Sequence, residues 1–529
     1  MIWVDREAQT IKKNATHNHA WVDDMKTPSG RIHVGALRGV VIHDLLYKSL
    51  LENGLDTKTS YVFNDFDQMD AIPSYLKGDE WKQYGGVPLC NIPSPEEGFA
   101  NYAEYFAKEF IATFEAINCH PQIIWSSELY RTGKMNTVVK MALDRADKVR
   151  DIYSSVSKSK RKDDWLPIQP ICDKCGKMGT TYAYAWDGKK IKYRCDQTTK
   201  WATACGHEGS MSPFDGNAKL HWKADWPAYW KVIGVTVEWS GKDHMSEGGS
   251  YDVSSRISKE VYEYDAPYAK GYEWFTVGGK KMSSSKGIGT SAKEVSSILP
   301  PELLRFLLVR TPMERHLDFD PFGDTIPNLF DEYDRCLNAF FDKREDVTTA
   351  GKQGQVNADF ARIIELSIVR PLPETRVFLP RFRTVANLLK QKQDIKDFFE
   401  TQKGNDLTPE ELEILEERAV FAEVYIKNYA GEDTAHEFLE EAPEDLQLTD
   451  SQTIFLQTLG NNLSRSRAKG RDQVQDVVFA SLKEHDLKPK DVFSAFYQIL
   501  IGRDAGPKAA DLILEFGMRN VVERINEVV

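Results

Sequence analysis

The first sixty residues of the chain alternate between extended and helical patterns, and this alternation restricts the fold more than any other feature. Residues 18–22 and 59–63 have the character of strands, and residues 23–30 hold the loop formers proline, serine and glycine. From residue 35 to 53, apolar residues recur at helical spacing, and Gly54 is a natural stop for that helix. A strand, a loop, a helix and a strand in this order form a βαβ unit, which predicts a parallel sheet.

The rest of the chain has three stretches of different character. Residues 167–213 are rich in cysteine, glycine, threonine and aromatic residues, and they read as an insertion held together by a metal. The α/β pattern then resumes, but strand signals nearly vanish beyond it, and amphipathic segments such as 371–401 predict helices. We therefore expect an α/β fold with a catalytic domain at 1–325, followed by an all-α region at 326–529.

The charge of the chain narrows the classes of protein that it can belong to. A net charge of -12 argues against a protein that coats nucleic acid nonspecifically, although a local basic patch can act within an acidic whole. Residues 131–162 and 464–471 are basic, and charge alone favours a solvated helix face for each. No apolar run reaches the ~18 residues that would suggest a membrane span, and the polar start is not a signal peptide. We expect a cytoplasmic protein.

Four of the seven cysteines cluster in the inserted segment. Cys172 and Cys175 are separated by two residues, and this spacing lets both thiolates reach one tetrahedral ion. Cys195 and Cys205 are the favoured second half of the site, with His207 as a competing ligand. Four reduced, buried thiols are the alternative, which the spacing of the first pair disfavours. Since four protein ligands leave no open position for water, the predicted zinc ion has a structural role.

The segment TPSGRIHVGA at residues 27–36 lies where the first strand leads into the helix. A helix N-terminus offers unpaired N–H groups and partial positive charge, so it suits a phosphate. His33 can donate to a phosphoryl oxygen, and Gly35 lets a ring or phosphate approach the backbone closely. Ser29 and Gly30 precede them in this candidate nucleotide-binding loop. Alone, a His-x-Gly pattern is short enough to recur by chance.

A second candidate loop has the sequence KMSSSKG at residues 281–287. Lysine supplies point charge and serine supplies adaptable donors, so such a loop can close on a polyphosphate and stabilise the charge of a nucleotidyl-transfer transition state. A solvated loop is the simpler alternative, but it does not explain why the loop follows a βαβ pattern that starts with the first motif. The candidate residues are Lys281, Ser283, Ser284, Ser285 and Lys286.

Together, the two motifs resemble the paired His-Ile-Gly-His and Lys-Met-Ser-Lys-Ser signatures of class I aminoacyl-tRNA synthetases. Further segments are similar to the lysine-specific members of that family, and they follow one another along nearly the whole chain. This ordered set is far more specific than any one motif. The resemblance implies a Rossmann-type catalytic domain, a zinc-binding insertion and a helical anticodon-binding region. The segments include DFD at 65–67, KLHWKADWP at 219–227, WSGKDH at 239–244 and GRDAGPK at 502–508.

The resemblance also implies a role for each matching residue. His33 and Gly35 would bind the ATP phosphates, and Lys281 with the serines after it would stabilise the departing pyrophosphate. Gly241 and Asp243 would hold the adenosine ribose. An aromatic wall suits the butyl stem of lysine and attracts its ammonium group, although core packing is an even alternative for the two aromatic candidates. The residues implied to line the lysine pocket are Thr27, Trp222, His244 and Tyr272.

Three positions depart from the pattern of the family. Ala36 ends the first motif where members usually carry a polar residue, so one phosphate or ribose contact is absent or supplied elsewhere. Ser284 occupies the fourth position of the second motif in place of lysine, with Lys286 close by. Met25 stands at the floor of the implied pocket, where a small glycine is expected.

The resemblance implies that the chain activates lysine with ATP, with Mg²⁺ accompanying the nucleotide, and transfers it to the 3′ end of tRNA(Lys). A class I synthetase for glutamate is the nearest alternative, but its pocket should offer an arginine or lysine, and the candidates here are aromatic. A nonenzymatic tRNA-binding paralogue is a third alternative. Ala36 and Met25 favour it, whereas the loop at 281–287 speaks against it.

Overall fold

The computed structural model divides into two compact units. Unit 1 comprises residues 1–321 and 328–377, and unit 2 comprises residues 322–327 and 378–529. The residues that the structure describes are 1–14, 19–279, 290–347, 351–430, 438–439, 441–443, 446–466, 468, 471–506 and 508–529.

Unit 1 is built on a parallel sheet. The strands β1 (His19–Lys26), β2 (Asp56–Phe63) and β3 (Gln122–Trp125) lie in the order β1-β2-β3. In this register Val22 is opposite Thr59 on the neighbouring strand. Because all three strands run in the same direction, their carboxyl ends meet at one edge of the sheet. The α/β fold with a parallel sheet that the sequence predicts is confirmed.

Two further stretches of chain extend the sheet on the other side of β1. The amide of Asp23 donates to the carbonyl of Val237 at 3.0 Å, and Val237 forms a parallel bridge with Tyr268. The chain continues into β9 (Ser240–Gly241), which pairs in parallel with β10 (Gly271–Tyr272). The segments after these two short strands therefore emerge at the same edge as the carboxyl end of β1.

Helix α2 (Gly35–Glu52) joins β1 to β2 and packs on both, after an N-terminal helix α1 (Trp3–Asn14). Its buried leucines close one face of the sheet. His43 on this helix accepts a hydrogen bond at Nε2 from the amide of Trp239, at 2.9 Å. Its Nδ1 therefore carries the proton and donates to the carbonyl of Gly39 at 2.7 Å. The imidazole ties α2 to the segment that leads into β9.

The strand β1 is longer than the sequence predicts. Residues 23–26 were expected in a loop, but they continue β1 to Lys26, opposite Phe63 of β2. The loop prediction was wrong because neighbours on both sides supply backbone partners: β2 on one side and, for Asp23, Val237 on the other. Tertiary pairing outweighs the low strand propensity of aspartate here.

The remaining elements of unit 1 surround this sheet, and α7 continues as a π-helix over Trp230–Gly234. The helices are α3 (Tyr102–Ala116), α4 (Ser126–Arg131), α5 (Asn136–Asp144), α6 (Ala146–Ser157), α7 (Trp222–Tyr229), α8 (Ser250–Glu260), α9 (Ala292–Ser296) and α10 (Pro301–Arg310). The strands are β4 (Ile168–Pro170), β5 (Thr181–Trp186), β6 (Ile191–Cys195), β7 (Glu208–Met211), β8 (Ala218–Leu220), β11 (Phe275–Val277) and β12 (Leu317–Phe319).

Two long helices after β12, α11 (Thr325–Arg344) and α12 (Gly351–Ser367), belong largely to unit 1. The buried guanidinium of Arg305 donates to the carbonyl of Leu366 at 2.8 Å, and Arg362 pairs with Asp5 at 2.9 Å. These contacts tie α12 to the α/β unit. Residues 328–377 therefore join unit 1, whereas the sequence analysis assigned them to the C-terminal region.

Unit 2 is helical in its described residues. Its longest helix, α15, begins with a capping box in which Thr408 and Glu411 satisfy each other's backbone amides. Residues 467, 469 and 470 of the second basic stretch lie outside the described residues. The remaining helices of the chain are α13 (Phe382–Lys390), α14 (Ile395–Lys403), α15 (Pro409–Asn428), α16 (Asp450–Arg465), α17 (Arg471–Lys483), α18 (Pro489–Ile501), α19 (Ala509–Phe516) and α20 (Met518–Val528).

Within the described part of the chain, every helix is too short or too polar to cross a lipid bilayer.

Candidate active site

The first motif lies at the start of α2, as the sequence predicts. Val34 precedes the helix, and no side chain caps this end. The partial positive charge of the helix N-terminus therefore faces the surroundings of the motif. Burial, followed by the nearby charge of Lys26, lowers the pKa of His33 to about 3. The imidazole is therefore neutral at physiological pH and can donate one hydrogen bond to an anion. This arrangement is suited to a phosphate.

Gly35 sits where any side chain would collide with its neighbours. A Cβ atom at this position would lie 2.8 Å from Nδ1 of His33 and 3.1 Å from the carbonyl oxygen of Phe275. The absence of a side chain thus allows β11 to approach the helix start. Phe275 opens β11, which leads directly towards the second motif.

The candidates Lys281, Ser283, Ser284, Ser285 and Lys286 lie outside the described residues. The chain on both sides of them is described. Gly279 donates its amide to Oδ1 of Asp318 at 2.8 Å. On the far side, Val34 donates to the carbonyl of Thr290 at 3.1 Å, and Ala292 donates to the carbonyl of Ile32 at 3.0 Å. Residues 290–292, which follow segment 280–289 in the sequence, are therefore in backbone contact with the first motif.

The candidate ribose residues lie in β9 and in the turn directly after it. Gly241 is in β9 opposite Tyr272, and it accepts a hydrogen bond from the amide of His244 at 3.0 Å. Asp243 lies in this turn with its side chain exposed. The turn thus places a carboxylate beside the edge where β1 ends. In parallel α/β sheets, ligands bind at this edge.

Two of the four candidates for the lysine pocket lie together. The ring of Trp222 stacks on Trp226 with centroids 5.2 Å apart, and His244 lies 6.3 Å from Trp222. Burial, the largest effect, lowers the pKa of His244. The hydroxyl of Tyr272 is close to Gly39 of α2, and no ring contact joins Tyr272 to Trp222 among the described residues. Met25 packs against the buried cluster of Trp226, Trp230 and Val235, to which Trp222 also contributes.

The fourth candidate, Thr27, is tied to a buried group of charges that the sequence analysis missed. Its hydroxyl donates to Oδ2 of Asp67 at 2.6 Å. The other oxygen of Asp67 lies 2.8 Å from Nζ of Lys219, which also contacts Asp225. Tyr130 donates to Asp225 at 2.5 Å. We call Lys219, Asp67 and Asp225 the balanced group, because a buried cation lies between its two carboxylates.

A second buried group has no such balance. Asp23 and Asp24 of β1 are buried with Glu238, which accepts hydrogen bonds from the indoles of Trp226 at 2.8 Å and Trp230 at 2.5 Å. Burial raises the pKa of all three carboxyl groups, and it raises the pKa of Glu238 to about 8. We call these three residues the acidic group. The sequence analysis missed it because it placed the two aspartates in a loop.

The inserted segment brings its four cysteines together. Sγ of Cys172 lies 3.7 Å from that of Cys205, and Sγ of Cys175 lies 3.8 Å from that of Cys195. All four sulfur atoms lie within 4.8 Å of one another, so the cluster could hold a metal ion. His207 is not among these four ligands: its Nε2 lies 2.7 Å from Oδ1 of Asp173.

Comparisons with known proteins identify the family of the chain. The family model described as tRNA synthetases class I (K) matches residues 1–367. The Lysine–tRNA ligase of Methanosarcina barkeri is 32% identical over 544 residues, which cover 99% of this chain and 97% of that protein. The Lysine–tRNA ligase of Methanocaldococcus jannaschii is 32% identical over 548 residues, with 99% of each chain covered.

Among solved structures, a glutamate tRNA ligase from Elizabethkingia meningosepticum matches with a TM-score of 0.35 and 13% identity, over 96% of this chain and 98% of that one. The family model covers more than half of the chain, and the archaeal relatives extend over almost all of it. The chain therefore belongs to the class I tRNA synthetases (K).

Proposed function

We propose that the chain activates lysine with ATP and transfers it to the 3′ end of tRNA(Lys). The observation that carries this proposal is the backbone contact between residues 32–34 of the first motif and residues 290–292, which come shortly after the second motif in the sequence. Two motifs far apart in the sequence can thereby act on one triphosphate. The Lysine–tRNA ligases of the two archaea, similar along almost their whole length, support lysine as the amino acid.

In the first step, the carboxylate of lysine attacks the α-phosphorus of ATP, which forms lysyl-adenylate and releases pyrophosphate. Negative charge spreads over the phosphoryl oxygens in the transition state, and preorganised donors stabilise it. The start of α2 and the neutral imidazole of His33 would supply such donors without adding a titrating charge. Lys281, Ser283, Ser284, Ser285 and Lys286 would bind the departing pyrophosphate.

In the second step, a terminal ribose hydroxyl of the tRNA attacks the carbonyl carbon of lysyl-adenylate, and AMP leaves. Gly241 and Asp243 would hold the adenosine ribose through both steps, with Ser29 and Gly30 on the opposite side of the nucleotide. The helical region at 326–529 would read the anticodon, where unpaired bases can be stacked and hydrogen-bonded. These assignments rest on the matching motifs of the family, and we expect the enzyme to act in the cytoplasm.

The proposed lysine pocket combines an aromatic wall with a polar floor. Trp222, stacked on Trp226, would cover the butyl stem of the substrate, and a ring face attracts an ammonium group. His244 is next to this wall, and Thr27 is oriented by its hydrogen bond to Asp67. Tyr272 would close the pocket from the side of α2.

The proposed metals have separate roles. Four thiolates match the tetrahedral ligand set of a structural zinc site, so Cys172, Cys175, Cys195 and Cys205 would hold Zn²⁺. Purified protein should contain about one zinc ion per chain, and a Cys172→Ala variant should lose it, as measured by atomic emission. Mg²⁺ would accompany ATP as a counter-ion of its phosphates.

Exchange of labelled pyrophosphate into ATP tests the function. We expect lysine to support exchange in the presence of tRNA, and glutamate to support none. A His33→Ala variant should lose about 10²–10³-fold in exchange rate while its affinity for tRNA stays unchanged. Exchange with neither amino acid, with or without tRNA, would contradict the proposal and favour a protein that only binds tRNA.

A further inference from the structure

The basic stretch at residues 131–162 separates in the structure into two kinds of cation. Three cations in its first part form ion pairs with carboxylates. That part of the stretch is therefore an ordinary solvated surface. The three cations are Lys140, Arg145 and Lys148, each within 4.0 Å of an acidic partner. The last part of the stretch follows α6 and contains Arg161, which is exposed. This residue is held in a different way.

Arg161 lies over two aromatic rings of the protein. Its guanidinium carbon is 5.1 Å from the ring centre of Tyr153 and 5.2 Å from that of Trp165, and both rings are buried. Trp165 stacks in turn on His221, with centroids 5.1 Å apart. Cation–π contacts with these rings hold the exposed guanidinium in place. They also place it against the segment that carries the substrate-pocket candidate Trp222.

Lys223 contacts one of the same rings as Arg161. Its Nζ lies 6.0 Å from the ring centre of Tyr153, on the chain directly after Trp222. Burial and then the charge of Arg161 lower the pKa of Lys223, and the same cation helps burial to lower the pKa of His221 to about 3. Among the residues that the structure describes, neither Arg161 nor Lys223 forms an ion pair.

Two neighbouring cations without a carboxylate repel each other, and a bound anion would remove this cost. Of the two acidic residues that follow Arg161 in the sequence, Asp163 forms no ion pair among the described residues, and Asp164 accepts a hydrogen bond from Tyr182 at 2.6 Å. The pair therefore has the properties of an anion site whose ligand is brought by another molecule.

We propose that Arg161 and Lys223 bind backbone phosphates of the single-stranded 3′ end of the tRNA as it enters the active site. This inference rests on the proposed function. The terminal ribose must reach the carbonyl carbon of lysyl-adenylate, so the phosphates just before it pass the rim of the lysine pocket. Lys223 directly follows Trp222, the candidate for the wall of that pocket, in the sequence. The ATP phosphates are assigned to the helix start at His33, which leaves these two cations for the nucleic acid.

The experiment compares two tRNAs and two single variants, Arg161→Gln and Lys223→Gln. Dissociation constants are measured for intact tRNA(Lys) and for the same tRNA without its single-stranded 3′ end. We expect each variant to weaken binding of the intact tRNA by about tenfold and to leave binding of the shortened tRNA unchanged. The salt dependence of log K for intact tRNA should become shallower by about 0.7 for each phosphate that the variant no longer neutralises.

Two further variants serve as controls. Lys13→Gln removes an exposed lysine from α1 and should bind both tRNAs like the unmodified protein. Arg161→Lys keeps the charge and should recover most of the affinity for intact tRNA. A merely structural role for Arg161 would not depend on whether the 3′ end is present.

Two other outcomes overturn the inference, and a third separates it from the proposed function. An equal loss for intact and shortened tRNA would move the contact to another part of the tRNA. A higher Michaelis constant for ATP with unchanged tRNA affinity would assign the cations to the nucleotide. If the unmodified protein charges no tRNA with lysine, yet the variants still lose affinity only for the intact 3′ end, the proposed function fails and the surface assignment stands.

Discussion

The balanced group and the acidic group are both buried in unit 1, but they differ in how their charges are compensated. In the balanced group, burial lowers the pKa of Lys219, yet Asp225 and Asp67 outweigh this effect and raise it overall. In the acidic group, burial raises the pKa of every member, and the hydrogen bonds to Asp23 and Glu238 do not outweigh it. Burial also raises the pKa of Asp225 in the first group, so the two groups differ in the buried cation and not in the direction of these carboxyl pKa shifts. Burial of charge alone does not tell the two apart; the presence of a cation does.

The largest expected effect comes from removing that cation. Lys219→Met leaves the buried Asp225, and the partly exposed Asp67 beside it, without a counter-ion, and we expect unit 1 to lose about 3–5 kcal/mol of unfolding free energy. All twelve tryptophans of the chain lie at or before residue 274, so urea unfolding followed by tryptophan fluorescence reports on unit 1.

The matched control for this variant is Lys140→Met. Lys140 forms an exposed ion pair with Asp144 on one helix, and such a pair contributes about 0–1 kcal/mol. If the Lys219 and Lys140 variants lost equal stability, the balanced group would be no more than a surface ion pair.

A second prediction concerns the space around Asp24 in the acidic group. A Cβ atom on Gly39 would lie 2.6 Å from the hydroxyl of Tyr272 and 2.8 Å from Oδ2 of Asp24. Gly39→Ala should therefore destabilise unit 1 by about 1–2 kcal/mol, although alanine favours a helix by about 1 kcal/mol. Adding Tyr272→Phe, which removes the closer atom, should restore most of the loss in the same unfolding assay. A stabilised Gly39→Ala variant would contradict this close packing.

A smaller effect is expected where the balanced group meets the proposed pocket. Thr27→Val removes the hydroxyl that donates to Asp67 and keeps the shape of the side chain. We expect kcat/KM for lysine to fall by about tenfold, because a hydrogen bond to a charged group is lost. Thr27→Ser retains the hydroxyl and should behave like the unmodified protein in lysine-dependent exchange. Equal losses in both variants would show that the methyl group, not the hydroxyl, is what the site requires.

The last prediction is a change in how stability depends on pH. The pKa of Glu238 is 4.5 in the unfolded reference and about 8 in the folded protein, so the folded state keeps a proton that the unfolded state releases. Its contribution to stability is full below the lower value and is lost as pH rises towards the higher one.

Glu238→Gln removes this contribution, so its unfolding free energy should fall less than that of the unmodified protein between about pH 5 and about pH 8. Glu115→Gln, at an exposed site on α3, is the control and should leave the pH dependence unchanged. A Glu238→Gln variant with the unmodified pH dependence would mean that Glu238 titrates normally.

The sequence predicted those features that depend on local spacing. The βαβ unit followed from apolar periodicity, and α2 begins at Gly35 as expected. The two residues between Cys172 and Cys175 predicted a cluster, which the structure assembles with the two later cysteines. Signals of this kind are short-range, so a single sequence is sufficient to read them.

The features that depend on distant contacts could not be predicted. Nothing near Lys219 in the sequence indicates that Asp67 is its partner, because the two are 152 positions apart by residue number and meet only in the folded chain. Likewise, the hydrogen bond that ties α12 to the α/β unit joins Arg305 to the carbonyl of Leu366, and the two residues are far apart in the sequence. Charged residues such as Asp23 were read as loop for the same reason.

The imidazole of His43 connects the two motifs that are proposed to contact the phosphates and the ribose of a nucleotide. It links α2, whose start is proposed to bind the phosphates, to Trp239, which directly precedes β9 (Ser240–Gly241). A shift of the turn proposed to hold the ribose would thus be transmitted to α2 through one side chain. Replacing that side chain would let each motif remain intact while their responses to the nucleotide became independent.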